Sequence, residues 1–123
     1  MMTLNELRMD FTTAGGGAVT TTIDSVFGLL YAIEWVDGTL DDGGTAVFSC
    51  INTMSGVTQT LCTLATPLVN SDAWYYPRVD THDNAGATNG GSDYAVLNGR
   101  IQMALTAGGA VTTGACVIYY WTP

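Results

Sequence analysis

Lysine is missing altogether from this chain of 123 residues, and its three cations, Arg8, Arg78 and Arg100, face 11 acidic residues. Nucleic acid and anionic lipid are held chiefly by clustered Lys and Arg neutralising phosphate, so a formal net charge of −8 argues against both as partners. Charge of either sign is scarce, at 11% of residues, where ordinary soluble domains carry about a quarter. Monomeric proteins keep apart largely through charge. A surface made mostly of Thr, Gly, Ala and Asn is therefore expected to meet other subunits.

Histidine occurs once and cysteine three times, without any CxxC spacing, which leaves no ligand set for zinc. Cys50, Cys62 and Cys116 read as small buried apolar residues in a reducing compartment, and a Cys50–Cys62 disulfide is not expected. The opening "MMTLNELRMD" is charged within ten residues and lacks a long apolar core, so neither a signal peptide nor a membrane span is expected there. Cytoplasmic synthesis and folding follow from that reading.

Glycine, threonine and aromatics are what the chain does have. Leu7, Met9 and Phe11 alternate with Arg8, Asp10 and Thr12, the period of a strand with one apolar face. "VFGLLYAIEWV" (26–36) places Phe27, Leu29, Tyr31, Ile33 and Trp35 on one predicted strand face. "TAVFSCIN" and "VTQTLCTLA" read as a hairpin joined by "TMSG", and "YAVLNG" with "RIQMAL" as another turning at Asn98-Gly99. "AWYYPR" is a short aromatic strand that Pro77 must end, and "ACVIYYW" is the last. Between them "VDTHDNAGATNGGSD" reads as the one long polar loop. The near-identical "TAGGGAVTTT" (13–22) and "TAGGAVTTGA" (106–115) read as two glycine hairpins using one turn chemistry. The expectation is an all-β chain: a single-domain antiparallel β-sandwich or jelly roll of about eight strands, with residues 1–6 a short N-terminal arm and 7–123 the domain.

Catalytic material is thin. His82 lies near Asp80 and Asp83, but no GxSxG elbow accompanies it, and Ser49 sits in a predicted apolar hairpin. Glu34 with an Asp of the 37–42 turn is the one carboxylate pair to weigh for a hydrolase. Asp37, Asp41 and Asp42, and likewise Asp80, Asp83, Asn84 and Asp93, are oxygen donors of the kind calcium takes, yet Asp and Gly are also what turns are made of. The expectation is no enzyme, no metal and no cofactor. Trp74, Tyr75 and Arg78 are the candidate interface residues, because Trp, Tyr and Arg supply large amphipathic contacts. Alternation sends Trp74 and Tyr76 to one face and Tyr75 to the other.

The phrases "GLLYAIEWVDGTLDDG", "AWYYPR" and "VLNGRIQMALTAGGAVTTGACVIYY" resemble small structural proteins of tailed bacteriophages, of the kind described as head decoration or cement proteins. The resemblance implies a small β-sandwich or barrel that forms homotrimers on the outside of the phage head and clamps the major capsid protein lattice. It also implies assembly in the host cytoplasm and residence in the virion. Alternatives are a head–tail connector or tail component, and a carbohydrate-binding jelly roll using Trp74 and Tyr75.

Overall fold

The computed structural model of the chain describes residues 1–41, 43–82 and 84–123. Among these residues nine strands follow one another: β1 (Thr3–Thr12), β2 (Val19–Val36), β3 (Thr45–Asn52), β4 (Thr58–Leu64), β5 (Ala73–Tyr75), β6 (Val79–His82), β7 (Thr88–Asp93), β8 (Val96–Thr106) and β9 (Thr113–Thr122). A 3-10 turn, Leu68–Asn70, precedes β5. The chain is all-β and antiparallel, as alternation and β-branched composition predict.

Seven strands form one hydrogen-bonded sheet, six of them in the path β1-β9-β2-β8-β3-β4 and β5 paired to β2 off that path. The path doubles over at β2. Its first part, Val19 to Leu29, pairs with β8, and its last part, Leu29 to Val36, pairs with β9. One layer of the sandwich is thus β4-β3-β8-β2, and the other is β1-β9-β2-β5. Two irregularities produce the switch, one between Ile23 and Val26, where Ser25 takes φ 61, and one between Leu30 and Ala32. Each inserts a residue and flips the alternation. Ile33 and Trp35 therefore point inward as expected, but Phe27 is exposed and Leu29 and Tyr31 are only half-buried, while Val26 and Leu30 take the core positions.

Trp35 lies at the centre of the core. Its ring meets Phe11 of its own layer at 5.5 Å and Phe48 of the opposite layer, edge-on, at 6.0 Å. Its indole nitrogen donates to the carbonyl of Val69 at 2.9 Å, so the 3-10 turn closes one end of the core and satisfies a buried polar group. The inward positions of β8 (Leu97, Ile101, Met103, Leu105) and β9 (Cys116, Ile118) complete the apolar layer.

Several sequence expectations change here. Residues 3–6 of the expected arm are the start of β1, paired with β9 from Thr3↔Thr122 onward, because Asn5 and its neighbours find a complete ladder partner. The β3–β4 hairpin stands, its turn tightened by the Asn52 side chain accepting from the amides of Met54 and Ser55. Asn98-Gly99 is no turn: β8 runs straight through it. A Cβ at Gly99 would run into the carbonyl of Ile51, so this glycine permits close backbone approach rather than reversal. The expected long loop contains a two-stranded hairpin, β6-β7, held by backbone pairing with a wholly exposed second strand.

The repeated glycine segments are not hairpins either. Each carries the chain from one layer to the other, β1 to β2 and β8 to β9, and the two crossovers lie on each other. The amide of Gly108 donates to the carbonyl of Gly17 at 2.8 Å, and the amide of Thr13 to the carbonyl of Thr112 at 2.8 Å. The Thr112 amide returns a bond to the Thr13 hydroxyl at 2.8 Å, and the two buried hydroxyls lie 3.0 Å apart. At Gly17, φ is 82 and a Cβ would sit 3.0 Å from the backbone nitrogen of Gly109, whereas a Cβ at Gly16 meets nothing. Gly17→Val should therefore cost about 2–3 kcal/mol in a urea melt, and Gly16→Ala less than about 0.5 kcal/mol.

Candidate interaction surface

Alternation through β5 and the residue that follows it places Trp74 and Tyr76 outward and Tyr75 against the core, as the sequence predicts. Trp74 is 48% exposed and Tyr76 54%. Trp74 does not stand alone. Its ring lies 4.9 Å from that of Tyr119, an outward residue of β9, and the Tyr119 hydroxyl donates to Glu34 Oε1 at 3.2 Å. Tyr31 packs edge-on against Tyr76 on one side and Trp121 on the other, each at 5.6 Å.

Arg78 joins these rings rather than reaching away from them. Its Nη1 donates to the carbonyls of Tyr31 at 3.0 Å and Pro77 at 2.8 Å, and its guanidinium carbon lies 4.3 Å from the centre of the Tyr94 ring. At that distance a cation–π contact contributes about 0.5–1 kcal/mol at an exposed position. Arg78 thus fixes the segment after β5 onto β2. The other two cations are held in exposed ion pairs, Arg8 with Asp10 at 3.0 Å and Arg100 with Asp24 at 2.8 Å.

The belt continues into an apolar hollow of about 390 Å³ lined by Met2, Phe27, Leu29, Val96, Trp121 and Pro123. Phe27 and Val96 are each more than half exposed. Outward aromatics of β9 and β5, the kinked middle of β2 and the start of β8 therefore make one face that is aromatic and apolar, with Arg78 and Glu34 set into it. Of the three candidate interface residues, Trp74 and Arg78 lie on this face and Tyr75 does not. Tyr31, Tyr94, Tyr119 and Trp121 were not singled out from sequence. Period-two reading of "CVIYYW" carries the signal for Tyr119 and Trp121, but the position of Tyr31 depends on the bulge beside it.

The candidate catalytic and metal residues lie scattered. Ser49 is buried on β3, while His82 is exposed on β6 opposite Thr88. Asp80 and Asp93 flank the β6-β7 ladder, and Asp83 and Asp42 lie outside the described residues. The Asp37 amide is held by Asp72 at 2.8 Å, and the Asp41 carbonyl accepts from Asn70 at 2.7 Å, so these acids order the turn between β2 and β3. No cluster of three or more His, Cys, Asp or Glu suited to a metal occurs among the described residues. Glu34 accepts from Tyr119 on the aromatic face, beside Glu6 and Arg8 and away from the acids of the 37–42 turn.

No family model matches the chain, and no curated protein matches it. Among solved structures it is similar to a chain of the Bacillus endospore appendages, described as a novel family of disulfide-linked pili. The identity is 14%, the match covers 97% of this chain and 87% of that one, and the TM-score is 0.41.

The cysteines are free thiols, Cys50 and Cys116 buried and Cys62 half-buried. Directly behind the aromatic face, burial pushes the Cys116 thiol up to about 12, with the Asp10 charge adding to the shift and Arg8 opposing it. Tyr119 is raised too, by desolvation first and then by the charge and hydrogen bond of Glu34. A thiol raised in the fold contributes its full stabilisation below its ordinary value of 9.0 and loses it as pH climbs towards 12. Chemical melts across that window should show a steep alkaline loss of stability, and Cys116→Ala should flatten part of it. An alkaline limb unchanged in that variant would mean that Cys116 is not the group responsible.

Proposed function

We propose that this chain is a non-enzymatic structural subunit that acts by being bound through the aromatic face of β2, β5 and β9, and that it serves as a decoration protein on the outside of a tailed-phage head. The observation carrying this reading is the belt of exposed Trp74 and Tyr76 with half-buried Tyr31, and its neighbouring Phe27 and Val96 hollow. Contiguous apolar surface of this kind marks an interaction site in a protein with so little charge to keep copies apart. Its aromatics are braced against one another and by Arg78, which limits the side-chain entropy lost when a partner covers them.

The phage assignment comes from the resemblance of the three quoted phrases, and the coarser reading, a β-sandwich with a binding face, stands independently of it. The major capsid protein and further copies of this chain, as a trimer, are the partners proposed. An exposed Trp74 stacked beside Tyr119 would equally present a platform for a sugar ring, which makes glycan binding the competing reading.

Undecorated phage heads mixed with the purified chain and sedimented should carry it down, and light scattering of the unbound chain should show self-association. Trp74→Ala with Tyr76→Ala should reduce head binding by at least about tenfold while shifting stability by less than about 1 kcal/mol, since both side chains are half exposed. Binding to isolated tails but not heads would move the protein to the tail. A specific hit on a glycan array that is lost in the same variant would replace the capsid reading with the carbohydrate one.

A further inference from the structure

The chain contains two Asn-Gly pairs, Asn89-Gly90 and Asn98-Gly99, and the fold treats them in opposite ways. We propose that Asn89 is a site of spontaneous succinimide formation, a self-modification that the structure directs to Asn89-Gly90 and withholds from Asn98-Gly99.

In this reaction the backbone nitrogen of the glycine loses its proton to base and attacks the side-chain carbonyl carbon, Cγ, of the asparagine. The new C–N bond closes a five-membered imide. The bond from Cγ to the side-chain nitrogen breaks, and that nitrogen leaves as ammonia after taking a proton from water. Water then opens the ring at either carbonyl to give aspartate or isoaspartate. No oxidant or reductant is needed. Glycine suits the second position because no side chain crowds its nitrogen.

Around Asn89 the geometry favours the attack. Residues 88–93 are all exposed. The β6-β7 register passes from Asp80↔Ser92 to His82↔Thr88, so Asn89, Gly90 and Gly91 bulge opposite Thr81 instead of running in ladder order. The Asn89 side chain folds back over its own following peptide: Oδ1 accepts from the amide of Gly91 at 3.1 Å and from the Thr81 hydroxyl at 2.6 Å. A carbonyl oxygen held over the second following amide brings Cγ towards the nitrogen between them, that of Gly90. The same two donors polarise the carbonyl and face the oxygen on which negative charge gathers during addition. Gly90 takes φ 80, and a Cβ built on it would meet nothing, so the glycine side of the new ring is open.

Around Asn98 exposure, register and free space are reversed, although its Oδ1 also accepts a bond, from the Cys50 thiol at 3.5 Å. The pair lies in the interior of β8, in register with Phe27 and Val26 of β2 on one side and with Asn52 of β3 on the other. Gly99 is buried where an added Cβ would run into the Ile51 carbonyl, and the Asn98 carbonyl accepts from the Thr53 amide at 3.1 Å. Ring closure there requires the central strands to separate. Conversion at Asn89 adds a negative charge to a hairpin that already carries Asp80 and Asp93, and isoaspartate also lengthens the backbone of β7 by one carbon.

The test is incubation of the full chain in mildly alkaline buffer, with and without urea, followed by peptide mass spectrometry and enzymatic detection of isoaspartate. In the folded chain the Asn89 peptide should convert at least about tenfold faster than the Asn98 peptide, because Asn98 waits on local opening. In urea the two rates should converge. Equal rates in the folded chain, or a folded chain in which Asn89 stays unconverted, would overturn the proposal.

Discussion

The fold depends on two glycine crossovers locked to each other. A sandwich whose strands form one continuous path needs something to hold its two layers in register at the end where the chain changes layers. Here Thr13 and Thr112 exchange amide-to-carbonyl and amide-to-hydroxyl bonds in a buried position, and their hydroxyls pass further bonds to the carbonyls of Gly109 and Gly108. Apart from the Thr112 hydroxyl, which bonds within its own segment, these groups answer partners on the other crossover, so removing one leaves a buried donor or acceptor unsatisfied. The amide of Asp41 adds the β2–β3 turn to the same knot by donating to Gly108 at 3.0 Å. The two similar glycine phrases are thus one structural device in two halves, and its consequence reaches Trp35, which can touch Phe11 and Phe48 only if the layers face each other in this register.

From that clamp the aromatic face follows. With β2 spanning both layers, the bulge between Leu30 and Ala32 turns Tyr31 outward between Tyr76 and Trp121, while Ile33 and Trp35 stay inside. Pairing of β5 on the last turn-side residues of β2 lays Trp74 opposite Glu34 and beside Tyr119. Rings from four separate chain segments meet because a single bent strand brings those segments together. The same architecture leaves β7 wholly exposed at the rim, with Val79 alone of the described β6-β7 residues packed against the core, which is where an exposed Asn-Gly pair has room to react.

How much of this was legible in the sequence depends on the range of the determining interaction. Alternation identified the strands around Met9, Phe48, Met103 and Cys116 and separated Tyr75 from Trp74 and Tyr76, since period two is a local property of the backbone. The β3–β4 hairpin was legible for the same reason. Asn98-Gly99 misled because its dipeptide is the strongest local turn signal, and only the nearby carbonyl of Ile51 shows why glycine is needed in a straight strand. The glycine repeats misled similarly: each is compatible with a hairpin, and the preference for a crossover is set by the other copy, about ninety residues away along the chain. Tyr31 changed faces because a bulge cannot be seen in a pattern of apolar residues, and Arg78 proved to brace the belt because its ring partners come from β2 and the link between β7 and β8.

The central claim, that the Trp74, Tyr76 and Trp121 face is the surface by which this protein joins an assembly, is most directly tested by oxidative footprinting of the free and the head-bound chain. Protection of Trp74 and Tyr76 on binding, with Trp35 equally unreactive in both states, is the predicted result. Rings on that face that oxidise as fast in the bound chain as in the free one would contradict it.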